Sequence, residues 1–481
     1  MTSNKSNNIR VDDLGFILSE DSYQIYLQGI PKKHEQSNLW NDYLKTLGNN
    51  STGLENISHL KKNDKTIKKM VRNGIPSDLR GPMWMHFTGA KQRKYSNENV
   101  FDSLLYQFHL TLVYFKDING DLQIPKAYEN IFVDVQECTR WPQPSTVNYS
   151  EKDRKRIQKF IKIVDLIERD LLRTFPENQY FKSTPFSPAG SLSRENSVSL
   201  DNSFGDVSAQ DAEEVFEMRS EKAATLPRSY SYDDLKSKAN RVSGNMISSL
   251  RRVLIAFAVY APSIGYCQSL NYLVGMLLLH MGEEDAFWML VTLVFDILPP
   301  FVYAPGLRGV ILESKVIRYF LQNKTPNIMR KIEEHVYLES LTANFLMTLF
   351  VNVLPPGTLC RFWDSFFYEG IHVFYRMVLT IFVMANAELK SLPSYKLNEF
   401  IQKYPRQMLN SDDAMDKLKY YGKKNLNVTE RDVIYIRQKM IREDNDNLPA
   451  MPRFPKRGKK LSLTGNVSWV DSSDNESNKS P

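Results

Sequence analysis

The sequence predicts an all-α protein, and three observations carry that reading. Residues 156–175 repeat apolar side chains at helical spacing, residues 246–421 form strongly apolar helical stretches punctuated by proline and glycine, and no convincing run alternates apolar and polar residues as a half-buried strand would. With 481 residues and 55.8 kDa, the chain is long enough for a large core carrying tails and an insertion.

Residues 1–60 mix short apolar clusters (Phe16, Ile17, Leu18; Ile25, Tyr26; Leu39, Trp40) with Asn, Ser and Lys, and read as a partly ordered approach segment. A lysine-rich amphipathic helix is expected from Lys61 to Val71, ended by Asn73-Gly74 and Pro76. Between Arg156 and Phe175, the side chains of Ile157, Phe160, Ile161, Val164, Ile167, Leu171 and Phe175 fall at offsets 0, 3, 4, 7, 10, 14 and 18, a sustained helical stripe. On a wheel of about 100° per residue the stripe centres near Val164, with Arg173 opposite and Asp170 on the flank of the polar side. Residues 183–245 then hold 13 serines and few bulky aliphatics, the composition of a disordered insertion. Helical sequence resumes at Met246–Tyr260 and runs to about Tyr421, with breaks at Pro262, Pro299-Pro300, Pro305-Gly306, Pro355-Pro356 and Gly370. Residues 426–481 form an extension, with a basic piece (Pro452 to Lys460) followed by a Ser/Asn/Asp tail. No fixed-period repeat is present, which argues against a regular solenoid.

Lys plus Arg number 62 against 55 for Asp plus Glu, a net charge of +7 and a pI near 8.9. That bias is mild and its basic residues are not grouped with aromatics, so no nucleic-acid partner is expected. Cys138, Cys267 and Cys360 stand apart from one another, which offers neither a disulfide framework nor a CxxC metal pattern; no metal site is expected. Reduced thiols and the absence of a leader-like N-terminus point to a cytoplasmic protein. The most apolar windows, Leu270–Met281 and Phe287–Leu298, are separated by Gly282–Asp285, so no transmembrane helix is expected and any membrane contact is peripheral.

Three segments stand out: Asn73–Trp84 (NGIPSDLRGPMW), Ile167–Pro176 (IERDLLRTFP) and Ile264–Asn271 (IGYCQSLN). Each has an ordinary reading. The first is a turn feeding a helix whose Trp84 plugs the core; in the second, Asp170 and Arg173 make a solvated intrahelical pair worth a few tenths of a kcal/mol; the third is a turn before a buried helix.

Taken in order, these segments closely resemble the TBC domain of Rab GTPase-activating proteins. The match continues through Phe287-Trp288, Leu354-Pro355 and Arg361-Phe362-Trp363-Asp364 and covers about residues 65–425, with the insertion inside it. The resemblance implies a two-lobed helical domain that accelerates GTP hydrolysis on a Rab-family small GTPase in its GTP form. The chain is then an enzyme activator that supplies catalytic residues in trans and has no self-contained active site. Matched residue by residue, Arg173 is the arginine finger and Gln268 the glutamine finger; Asp170 and Tyr266 support the fingers. Arg80, Trp84, Trp363 and Asp364 belong to motifs taken as structural. The Tyr-Cys-Gln-Ser-Leu-Asn variant and the Ala286–Leu290 run are similar to fungal members acting on secretory-vesicle Rabs, implying a role in vesicle traffic and recruitment to secretory or endosomal membranes.

These residue types suit the chemistry. Negative charge spreads over the transferring phosphoryl group and the leaving oxygens, and a planar guanidinium with several donors meets it well in a water-poor site. A glutamine amide both accepts and donates, so it can orient the attacking water and touch the phosphoryl oxygens. The chain needs no cofactor of its own, because Mg-GTP belongs to the GTPase.

A competing segment, Ile131–Arg140 (IFVDVQECTR), also begins Ile-x-x-Asp, but Glu137 stands three residues after Asp134 where an arginine is required. The long Ser-rich insertion departs from the family pattern and falls between the two finger motifs. Within it Thr184, Ser187 and Ser197 sit in kinase-like contexts and are candidate phosphosites. The rival reading is a catalytically inactive TBC scaffold that binds a Rab or another trafficking partner, although retention of Asp170, Arg173 and Gln268 argues against it.

Overall fold

The structure, a computed structural model, describes residues 10–48, 55–61, 64–108, 151–182, 246–424 and 426–443. Among these residues the chain is helical, and extended pairing is confined to two isolated antiparallel bridges, Val11 with Ile17 and Phe16 with Asn178. The Ser-rich insertion with Thr184, Ser187 and Ser197, the 131–140 segment and the 452–481 tail lie outside the described residues.

Helix α1 (Glu20–Thr46) is capped by Ser19 and buries Trp40 and Leu44. Helix α2 (Lys65–Asn73) starts on Asp64, whose carboxylate accepts from the backbone N–H groups of Thr66 and Ile67 at 2.7 and 3.1 Å. It ends where expected, at Gly74, with φ of 114°. A side chain there would place Cβ 2.8 Å from Arg361 Nε, so glycine answers both the backbone angle and the close approach.

The first lobe is built from α3 (Ser77–Thr88), α4 (Ala90–Tyr95), α5 (Glu151–Leu171), α6 (Met246–Tyr260), α7 (Leu270–Leu278) and α8 (Glu283–Thr292). In α5 the expected stripe is buried at Phe160, Val164, Ile167 and Leu171, and Arg251 of α6 clasps Glu168 with two bonds of 2.6 and 2.9 Å. The second lobe centres on α9 (Arg308–Lys324), which packs on α10 (Pro326–Ile332), α11 (Leu338–Met347), α13 (His372–Met384) and α17 (Glu430–Glu443). Helix α12 (Pro356–Glu369) joins the lobes, touching α2 and α3 on one side and α13 and α16 (Ser411–Lys423) on the other. Proline opens α12 and Gly370, at φ of 107°, closes it, as the sequence breaks indicate.

The core reaches beyond the 65–425 bounds read from the sequence. Leu14, Trp40 and Leu44 enter it from the N-terminal side, and Leu426, Val428, Val433 and Ile436 from the C-terminal side. The described part of the first sixty residues is therefore more than an approach segment, and the extension after residue 425 packs onto the core through Leu426, Val428 and the helix Glu430–Glu443. Short sequence clusters understate such elements because their apolar residues meet partners distant in the chain. Phe181 and Ile247, on either side of the insertion in sequence, are both buried.

Candidate functional site

Helix α5 ends at Leu171, and Arg173 stands just beyond it in a tightened turn where its N–H bonds the Asp170 carbonyl at 3.2 Å. The guanidinium is 68% exposed and approaches the Asp170 carboxylate only loosely, at 3.7 Å. Phe175 follows at φ of 50°, a left-handed conformation costly for a bulky residue, and is nevertheless buried. The helix thus ends two residues before Arg173 and four before Phe175, so a turn, and not the helical wheel, places both.

Asp170 corrects the wheel more sharply. It is 7% exposed rather than on a solvated flank, because the turn carrying Tyr266 covers that side and the Tyr266 hydroxyl donates to Asp170 Oδ2 at 2.7 Å. Burial, with the Asp170 charge beside it, pushes the Tyr266 phenol well above its usual range, so it stays a donor.

The turn itself is shaped by two residues with positive φ. Gly265 has φ of 61°, and a Cβ there would sit 2.8 Å from Ile163 Cδ1 of α5. Ser269, at φ of 105°, precedes α7, and its backbone N–H bonds Asn271 Oδ1 at 3.2 Å. Between them Gln268 projects to solvent, whereas Cys267 is partly covered and burial pushes its thiol up to about 12, leaving it inert as a nucleophile.

Two further residues escaped the sequence reading although both lie inside the quoted segments. Thr174 donates to the Asp170 carbonyl at 2.8 Å, and Asn271 donates to the Thr174 hydroxyl at 2.8 Å. This relay and the Tyr266–Asp170 bond tie the segment after α5 to the turn before α7. Arg173 and Gln268 are the exposed side chains these two ties present.

Arg80, Trp84 and Asp364 form a separate cluster. Asp364 is fully buried and accepts from the Ile75 N–H at 3.0 Å, Arg80 Nε at 3.2 Å and Trp84 Nε1 at 3.0 Å. Trp363 sits edge-on to Trp84 with centroids 5.5 Å apart and donates to the Leu349 carbonyl at 3.1 Å. The cluster joins α3 to α12 and presents no exposed reactive group. Among the described residues no set of three His, Cys, Asp or Glu side chains is grouped to hold a metal ion, and no helix is long and apolar enough to cross a membrane.

A helical two-lobed fold with two motif segments clasped at one surface defines a class. The family model described as the Rab-GTPase-TBC domain matches residues 221–390, and over that stretch the chain resembles that family. Among its relatives, "GTPase-activating protein GYP3" of Saccharomyces cerevisiae is 25% identical, over 90% of this chain and 63% of that protein. "GTPase-activating protein MSB4" of the same yeast is 27% identical, over 84% of this chain and 66% of that protein. The chain thus spans just under two thirds of the length of each. The crystal structure of the Chlamydomonas flagellar RabGAP TBC domain shares the fold, with a TM-score of 0.51 at 20% identity, covering 85% of this chain and 98% of that one. The matched region contains Gln268 but begins after Arg173, so the arginine segment is tied to it here by contacts in space.

Proposed function

We propose that this chain accelerates GTP hydrolysis by a Rab-family GTPase, inserting Arg173 and Gln268 beside the nucleotide of its partner. The observation that carries the reading is the 2.7 Å bond between Tyr266 and Asp170, which couples the segment bearing one exposed finger to the turn bearing the other. Arg173 meets the charge that develops on the phosphoryl oxygens, and Gln268 orients the attacking water. Both side chains are exposed, as residues that act on a partner must be. Mg-GTP is held by the GTPase, and this chain contributes donors and position.

Both yeast relatives carry names denoting GTPase activation, which supports the same activity here. The finer reading, action on secretory-vesicle Rabs by a cytoplasmic protein recruited to membranes through partners, follows the motif variants of the turn and α8. Single-turnover GTP hydrolysis on a panel of purified Rabs, with wild type, Arg173→Ala and Gln268→Ala compared, tests the proposal. Acceleration of some Rabs that both substitutions abolish is the expected result. Tight Rab binding without acceleration would replace it with the scaffold reading.

A further inference from the structure

We infer that the N-terminal turn of residues 12–17 is a positioning brace that holds the arginine-finger segment from the side the helical lobe leaves uncovered. The inference rests on the finger role of Arg173 proposed above.

The segment after α5 is anchored on one side only by the lobe. There Phe175 lies against Tyr272, with centroids 6.1 Å apart, and against the α7 backbone at Gly275, where an added Cβ would come within 2.9 Å of the Phe175 ring. On the other side stands a part of the chain about 160 residues earlier. Phe16 meets the Phe175 ring edge-on at 5.2 Å. Three hydrogen bonds run alongside: Ile17 N–H to the Glu177 carbonyl at 3.3 Å, Gln179 N–H to the Gly15 carbonyl at 2.9 Å, and Asn178 Nδ2 to the Leu14 carbonyl at 2.9 Å. Leu14 and Asn178 are buried beneath these contacts.

The turn is built to make them. Asp12 Oδ1 accepts from the Leu14 and Phe16 N–H groups at 3.0 and 2.9 Å, closing the loop on itself. Gly15 has φ of 82°, and a Cβ there would lie 2.5 Å from the Tyr180 ring, so only glycine allows the close approach. Helix α1 follows and fastens the turn to the rest of the fold, with Trp40 Nε1 donating to the Gly74 carbonyl at 2.8 Å.

Position matters because Arg173 is otherwise weakly held. Its one ion pair among the described residues, with Asp170, is loose, so the place of its guanidinium is set by the backbone of residues 171–175. A misplacement of about 1 Å at a catalytic group can cost about 100-fold in rate. Phe16, Leu14 and Gly15 are therefore positioning residues that act through Phe175, Asn178 and Gln179 respectively.

The test uses the full chain with Gly15→Val, Phe16→Ala and, as the conservative control, Phe16→Tyr. Two readouts are needed: hydrogen exchange of residues 172–182, and single-turnover GTP hydrolysis on an accelerated Rab as a function of chain concentration, with Arg173→Ala alongside. Expected for Gly15→Val and Phe16→Ala are faster exchange confined to 172–182, a maximal rate lowered about 10-fold or more, and half-saturation within about twofold of wild type. Phe16→Tyr should restore most of the rate. Unchanged exchange in 172–182 overturns the brace itself. Faster exchange with an undiminished rate, while Arg173→Ala is impaired, overturns its positioning role. A rate loss carried wholly by half-saturation also overturns it, and assigns the turn to GTPase binding. If Arg173→Ala retains the wild-type rate, the finger reading has failed and the positioning role falls with it, whereas the exchange data still decide whether the turn holds the segment.

Discussion

The Tyr266 hydroxyl donates to the Asp170 carboxylate at 2.7 Å, bridging 96 positions of sequence and the whole Ser-rich insertion. Because Asp170 is nearly inaccessible to water, that donor is hard to replace. Substituting Tyr266→Phe should cost about 1–3 kcal/mol in a denaturant titration and, on the proposed function, lower GTPase acceleration although Arg173 and Gln268 remain. Wild-type activity in this variant would show that the bond does not couple the two segments.

Arg173→Ala should lower the accelerated rate by about 10³ to 10⁵, the range for fingers supplied in trans. Arg173→Lys should recover little, since an ammonium lacks the planar fork. The side chain is mostly exposed, so the unfolding midpoint of either variant should match wild type. Full activity in Arg173→Ala would remove this residue from the mechanism.

Asp364 answers a largely covered guanidinium, an indole and a backbone N–H at once. Its replacement by Ala should destabilise the chain by about 3–5 kcal/mol, because Arg80 is left without a counter-charge in the interior. Equilibrium unfolding measures this, and a loss below about 1 kcal/mol would show that the cluster is not a structural joint.

Stability should fall on mild acidification. Burial, aided by Arg376, pushes the His372 imidazole down to about 4, and burial with Arg80 nearby also lowers His280. With its folded value depressed, His372 is neutral in the native state while the unfolded chain takes up the proton from about pH 6.5 downward. Its contribution is therefore fully present above that pH, shrinks as pH falls toward 4 and levels off below. By pH 5 the stability lost through His372 should amount to about 2 kcal/mol. Urea midpoints at pH 7.5 and 5 for wild type and His372→Gln check this; equal declines in the two proteins would exclude His372 as a source.

Trp40 tests whether α1 belongs to the fold. It is fully buried and bonded to the Gly74 carbonyl, so Trp40→Ala should cost about 3–5 kcal/mol. A variant that unfolds like wild type would return α1 to the status of an appended segment.

Much of this architecture is legible along the chain. The stripe through Phe160, Val164, Ile167 and Leu171 reports one face of one helix, the Asn73-Gly74-Ile-Pro sequence marks the end of α2, and Met246–Tyr260 is helical over the range its composition indicates. The segments carrying Arg173 and Gln268 were also visible, because motif residues close in sequence keep their spacing whatever surrounds them.

Other assignments depended on partners the periodicity does not contain. Asp170 sits on the polar side of its wheel yet is buried, because Tyr266 arrives from beyond the insertion. Leu14, Gly15 and Phe16 look like an unremarkable polar-flanked cluster until Phe175 and Asn178 are set against them. Helical period, turn chemistry and motif content are local properties and are settled by neighbouring residues. Which carboxylate is buried, and which turn packs against the segment after α5, was decided only by folding, since each depends on groups from distant parts of the chain.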